Sequence, residues 1–277
     1  MGNFCSWCNE IIIKIIVVVF LLMFIIFVIF VAGISSNFQV LEVNTESLST
    51  KKIEWGIKRG KNHAQPDLGT ENLRIINEFN GMAMGNSEYK YIYLTFDNGY
   101  EAGYTEQILD VLKENNVKAT FFITGQYLKT SEDLVKRMID EGHIVGNHTV
   151  NHKSMPNCSN ETIKDEVMTM HKEVYEKFNY EMKYVRPPKG EYSEASIAYT
   201  NTLGYTTVMW SFAYDDWEED NQGREEYGKK KIYDNLHNGE IMLLHATSKD
   251  NANILDEVIK EIKNQGYEFK SLDEFVR

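Results

Sequence analysis

From Lys90 onward, short apolar or β-branched runs alternate with stretches of helical period. The segments 91–96, 119–123, 143–147, 184–187, 206–210, 240–245 and 267–270 read as strands. Between them 104–115, 131–141, 160–178, 193–203, 225–237 and 250–264 read as helices. Strands that each follow a helix are joined by crossovers, so they lie parallel, and the fold class is α/β. Seven strands suit either an open doubly wound sheet or a barrel, and the polar residues separate the two. Asp97, His148, Arg186, the pair Asp215–Asp216 and His245 each fall at the end of, or just after, a different strand. A barrel brings all such ends to one rim, whereas an open sheet joins only those beside its switch point. The expected architecture is a closed or nearly closed barrel.

The amino-terminal part obeys different physics. Ile15 to Ile34 runs for about twenty residues without a charge, enough at 1.5 Å per residue to cross a ~30 Å hydrocarbon layer. A cleaved signal peptide has a shorter apolar core and a small-residue cleavage site, so the segment predicts an uncleaved transmembrane anchor at 1–34. Lys14 on one side faces Lys51, Lys52, Lys58, Arg59 and Lys61 on the other, and charge alone does not set the orientation. Residues 35–52 are polar, lack a period and read as a linker. The remainder, 53–277, reads as one domain with an extension at 53–90.

The formal charge is −12. Residues 35–90 hold seven acids and seven bases, so the excess sits beyond Lys90 and a nucleic-acid partner is excluded. No glycine loop for a nucleotide cofactor is present. Cys5, Cys8 and Cys158 cannot frame a chain of this length with disulfides, and the single C-x-x-C lacks the second half of a zinc site.

His148 and His152 stand at i and i+4, a spacing that on a helical turn points two imidazoles at one Zn²⁺-like ion. Asp97 and Asn98 offer oxygen ligands or a base, and His245 a further imidazole. Together they suggest a metal-assisted hydrolase: a metal-bound water, a carboxylate to take its proton, and an acid to protonate a poor leaving group. Asp97 and His245 could divide the last two tasks. Arg186, fixed by Pro187 and Pro188, could hold Asp97 ionised, and Asp216 could raise the pKa of His245. Taken singly, a structural ion pair is the favoured reading of Arg186 and a solvated loop that of Asp215–Asp216.

Five segments, Thr95-Phe-Asp-Asn-Gly99, His148-Thr-Val-Asn-His152, Arg186-Pro-Pro-Lys-Gly190, Asp216-Trp217 and Leu243-Leu-His245, resemble in order and spacing the motifs of the polysaccharide deacetylase family (carbohydrate esterase family 4, NodB-homology domain). The wording of 95–101 and 186–193, with the stretch from Trp55, is similar to the delta-lactam-biosynthetic de-N-acetylases of spore-cortex peptidoglycan. The resemblance implies a distorted (β/α)7 barrel and hydrolytic de-N-acetylation of peptidoglycan N-acetylmuramic acid. Its alternatives are a deacetylase of N-acetylglucosamine or chitin-like chains and a membrane-tethered glycan-binding protein without catalysis.

It further implies Asp97 as base with Arg186 as its partner, and His245 as acid with Asp216 tuning it. His148, His152 and Asn98 would be metal ligands, and Trp217 with Leu243 an apolar wall for the acetyl methyl. Most members carry aspartate where Asn98 stands, so the implied divalent ion, zinc or similar, would be held weakly. Ala213 replaces the first aspartate of the fourth motif. The implied partners are glycan strands, reached from a membrane anchor with the domain outside the cytoplasmic membrane.

Overall fold

The computed structural model describes residues 48–218 and 220–277. The expected anchor at 15–34 and most of the linker lie outside the described residues. In chain order the elements are β1 (Ile53–Glu54), α1 (Thr70–Glu78), β2 (Tyr91–Asn98), α2 (Thr105–Glu114), β3 (Thr120–Ile123), α3 (Gly125–Thr130), α4 (Glu132–Asp140), β4 (Ile144–Asn147), α5 (Asn160–Phe178), β5 (Tyr184–Val185), β6 (Glu191–Tyr192), α6 (Glu194–Thr202), β7 (Thr206–Thr207), α7 (Glu225–Asn235), β8 (Glu240–His245), α8 (Lys249–Asn264) and β9 (Glu268–Phe269).

The main sheet is parallel, in the order β7-β5-β4-β3-β2-β8, with β9 pairing the start of β2. It forms an α/β half-barrel. A single bridge, Phe212 to Met242, links the segment after β7 to β8: Phe212 N–H donates to Ile241 O at 3.2 Å and Leu243 N–H to Phe212 O at 2.9 Å.

On β2 the side chains alternate as the pleat requires. Ile92, Leu94 and Phe96 join the layer between sheet and helices, with Ile108, Leu112 and Val258. Tyr93 faces the interior with Phe122, Ile144, Tyr184 and Ile241. Both faces are covered, which is why the strand reads as a continuous apolar run.

All seven expected strands occur, three of them, including 267–270, cut to two residues. Pro187 and Pro188 lack N–H donors and end β5 at Val185. After Thr207 the ladder gives way to a single bridge between Val208 and Met82.

The helix α3 was not expected. It has six residues, too few for a period to show, and Thr124 caps it by accepting the Tyr127 N–H at 3.2 Å. The extension is also more ordered than its composition suggests. β1 pairs antiparallel with β6, and Ile75 and Ile76 of α1 pack into a separate cluster with Trp55, Tyr192, Ile197 and Met209. The end of the stretch read as a linker is fastened to the body. Ser49 O accepts the Ala195 N–H at 3.0 Å, and Ser49 N–H donates to Glu194 Oε2 at 3.2 Å.

Candidate active site

A cleft of about 760 Å³ opens at the carboxyl ends of the strands, lined there by Asp97, His148, His152, Leu243 and His245 and by the extension through Trp55. The parallel ladder sets Asp97 of β2 on the same rung as His245 of β8.

Asp97 is held from below. Arg186, fully buried, donates from Nη1 to Asp97 Oδ1 at 2.7 Å and from Nη2 to Thr95 Oγ1 at 2.9 Å. Its Nε donates to Val208 O at 3.2 Å. The guanidinium lies 4.2 Å from the centre of the Phe122 ring. That ring occupies space that only a glycine leaves open: a Cβ on Gly146 would come 2.5 Å from Phe122 Cδ1. Burial alone would raise the Asp97 pKa. The Arg186 charge, followed by those of His148 and His245, outweighs it, and the carboxyl stays below the usual carboxylate range. The Arg186–Asp97 ion pair is thus a functional part of the cleft floor as well as a structural one.

The two imidazoles meet, but by a different route from the expected helical turn. Residues 148–152 form a loop in which Thr149 and His152 adopt left-handed φ values of 67° and 54°. Side chains close it in place of helical hydrogen bonds. Asn147 Oδ1 accepts the Thr149 N–H at 2.9 Å, Thr149 Oγ1 accepts the His152 N–H at 3.0 Å, and Glu166 Oε2 accepts the Asn151 N–H at 2.7 Å.

The result brings His148 Nε2 and His152 Nε2 to 3.1 Å, with His148 Nε2 at 3.5 Å from Asp97 Oδ2. Two nitrogens bound tetrahedrally at 2.0–2.1 Å would stand about 3.3 Å apart, so the pair fits one divalent ion. His148 Nδ1 bonds the Arg186 carbonyl at 2.9 Å, which leaves Nε2 as the ligating nitrogen. Burial, then the neighbouring His148, pushes His152 down to about 4. Burial lowers His148 as well. Both imidazoles are therefore neutral, as ligands must be.

Asn98 is fully buried, and neither atom of its amide has a hydrogen-bond partner. Its side chain acts on the Tyr127 hydroxyl. Among the described residues no group of three or more His, Cys, Asp or Glu is arranged to hold a metal. The donors that the geometry brings together are the two imidazoles, and Asn98 is not among the residues lining the cleft.

His245 sits on the opposite wall. Asp216 Oδ1 bonds its Nδ1 at 2.7 Å, and Asp216 Oδ2 accepts its backbone N–H at 2.8 Å. Burial lowers the imidazole pKa, but the Asp216 charge and hydrogen bond, with Asp97 behind them, more than reverse this, and the net shift is upward. Asn251, in the first turn of α8, donates Nδ2 to Asp216 Oδ2 and accepts the Tyr214 hydroxyl. Asp215 is the structural member of its pair, bound to Arg224 Nη1 at 2.9 Å and to the Tyr227 hydroxyl.

The Trp217 ring stands 5.6 Å from that of His245 and is 53% exposed, whereas Leu243 is buried. Both line the cleft. Two supporting residues escaped the sequence reading. Thr95, two positions before Asp97 on the same face, was findable from the period of the strand; Asn251 carried no signal beyond its place shortly after His245.

These features have counterparts in known proteins. Residues 84–208 match the model of the polysaccharide deacetylase family. A peptidoglycan-N-acetylmuramic acid deacetylase, PdaA, of Bacillus subtilis is 44% identical over 83% of this chain and 88% of its own length. The solved structure of Bacillus subtilis PdaA, a family 4 carbohydrate esterase, aligns with a TM-score of 0.80 at 44% identity, covering 82% of this chain and 98% of that one. A family 4 carbohydrate esterase from Bacillus anthracis aligns at 0.70 and 40% identity, over 83% and 98%. With this fold, these motifs and that degree of identity, the chain belongs to the polysaccharide deacetylase family.

Proposed function

We propose that the chain hydrolyses the N-acetyl group of N-acetylmuramic acid in peptidoglycan, leaving an amine that closes on the lactyl group as the muramic δ-lactam of spore cortex. The observation that supports the chemistry is the shared rung of Asp97 and His245, with their pKa values pushed apart by separate partners. The muramic substrate rests on the likeness to the Bacillus subtilis N-acetylmuramic acid deacetylase.

Asp97, kept ionised by Arg186, takes a proton from the attacking water as its oxygen bonds to the acetyl carbon. His245, kept protonated by Asp216, delivers a proton to the amide nitrogen as the C–N bond breaks. Acetate and a free amine leave, and solvent restores both groups. Leu243 and Trp217 offer the apolar wall for the acetyl methyl. A divalent ion held by His148, His152 and the Asn98 amide would supply Lewis acidity and lower the pKa of the water. The apolar run 15–34 would keep the domain at the outer face of the cytoplasmic membrane, where the polymer lies.

Mass spectrometry of purified glycan strands after incubation tests the reading. Loss of acetyl from muramic acid is expected. Loss from glucosamine alone would favour the N-acetylglucosamine alternative, and no loss would favour a glycan-binding role. Protease accessibility on intact cells tests the placement: a domain protected until lysis would contradict it.

A further inference from the structure

Two exposed cations line the cleft, Arg59 from the extension and Lys189 from the segment after β5. They differ in how far they are committed. Arg59 donates from Nη2 to Ala213 O at 2.8 Å, and its guanidinium lies 5.7 Å from the centre of the Phe212 ring. Arg186, beneath the site, is wholly buried and spent on Asp97. Lys189 has no hydrogen bond or ion pair among the described residues, and it is the one exposed residue between Tyr184 and Gly190.

The backbone that presents Lys189 is fixed on both sides. Pro187 and Pro188 precede it, and Lys189 itself takes φ 61° and ψ 7°, a left-handed conformation that lysine rarely adopts. Gly190 follows at φ +66°, where a Cβ would come 2.7 Å from the Trp210 ring, and its carbonyl accepts the Trp55 N–H at 2.9 Å. The left-handed backbone at a non-glycine residue is strained, and strain of this kind clusters at functional sites. Lys189 lines the same cleft as His148 and His152, and its charge also acts on Glu191.

We propose that Lys189 receives the lactyl carboxylate of the muramic residue undergoing deacetylation, and so selects muramic acid over glucosamine; this rests on the muramic reading above. The lactyl ether is carried on C3, the carbon next to the one that bears the acetamide. It is the only substituent that distinguishes the two sugars, and its carboxylate lies a few bonds from the reacting carbonyl. Apart from its cations, the domain is strongly acidic and repels a polymer of carboxylates. An exposed ammonium lining the cleft offsets that repulsion locally.

The test compares peptide-free glycan strands carrying the free lactyl carboxylate with the same strands as lactyl methyl esters, for the wild type, Lys189→Gln and Lys189→Arg. The readout is the ratio of kcat/KM for carboxylate over ester. The wild type should prefer the carboxylate about tenfold, the worth of one charge-assisted hydrogen bond. Lys189→Gln should bring the ratio close to one, chiefly through KM, and Lys189→Arg should restore most of it. If Lys189→Gln loses activity equally on both substrates and keeps the preference, Lys189 only shapes the turn, and the muramic reading stands without it. A wild type that deacetylates glucosamine alone overturns both.

Discussion

Asp97 and His245 face each other across one rung of the β2–β8 ladder, and each is tuned by a partner of its own, Arg186 for the carboxyl and Asp216 for the imidazole. The two shifts run in opposite directions, which widens the pH range where the base is ionised while the acid is protonated. The expected kcat/KM profile is a bell. Its acid limb lies below the ordinary carboxylate value of 3.8 and its alkaline limb above the ordinary imidazole value of 6.5. In Asp216→Asn the alkaline limb should move to lower pH while the acid limb stays. A limb that does not move would remove Asp216 from its assigned role.

His245→Ala should lower kcat on the amide by about 10²–10⁴-fold, the usual contribution of a positioned acid. An acetyl ester, whose alkoxide leaves more readily than an amine, should lose much less. Equal losses on ester and amide would place His245 elsewhere in the reaction.

Arg186 and Asp97 are coupled in stability as well as in chemistry. Arg186→Met leaves a buried carboxylate unpaired and should cost about 3–5 kcal/mol in denaturant unfolding. Adding Asp97→Asn removes that charge and should recover part of the loss, while activity stays abolished. Additive losses in the double variant would mean that the pair does not interact as its 2.7 Å contact implies.

The proposed ligand role of Asn98 is tested by substitution. Asn98→Asp should tighten divalent-ion binding in calorimetric titration, because a carboxylate replaces a neutral amide in the donor set. Its rate need not rise, since a second carboxylate beside Asp97 competes for Arg186. Unchanged or weaker affinity would exclude position 98 as a ligand.

Away from the catalytic groups, Glu240 is fully buried, and burial raises its pKa well above 4.5 against the weaker pull of the His237 N–H. A carboxyl that holds its proton more tightly in the folded state contributes fully below the unfolded pKa. That contribution is lost as pH rises towards the folded value. Glu240→Gln should therefore gain stability relative to the wild type as pH rises above the ordinary carboxyl value of 4.5. A thermal-melt difference that stays constant over that rise would contradict this.

The sequence carried the strands and the reacting groups because both have local signatures: apolar runs of strand length, and titratable residues where each run stops. It did not carry what depends on distant atoms. The loop that joins His148 to His152 is closed by Glu166, fifteen residues beyond Asn151, and its left-handed residues are Thr and His rather than the glycines that would have announced them. The pairing of β1 with β6 involves two residues on each side, too short for any period, and links Ile53 to Tyr192. Asn251 supports Asp216 from thirty-five residues away. Only folding brings such partners together.

Trp55 precedes the barrel in sequence yet forms part of the cleft wall: its N–H holds the Gly190 carbonyl, its indole Nε1 holds the Trp210 carbonyl at 2.9 Å, and its ring meets Tyr192 and Trp210. The segment matched by the family model begins at residue 84, after this strap. The wall of the cleft is thus assembled from a segment that precedes the matched region as well as from the barrel, and a change in the extension would reshape the groove without replacing Asp97 or His245.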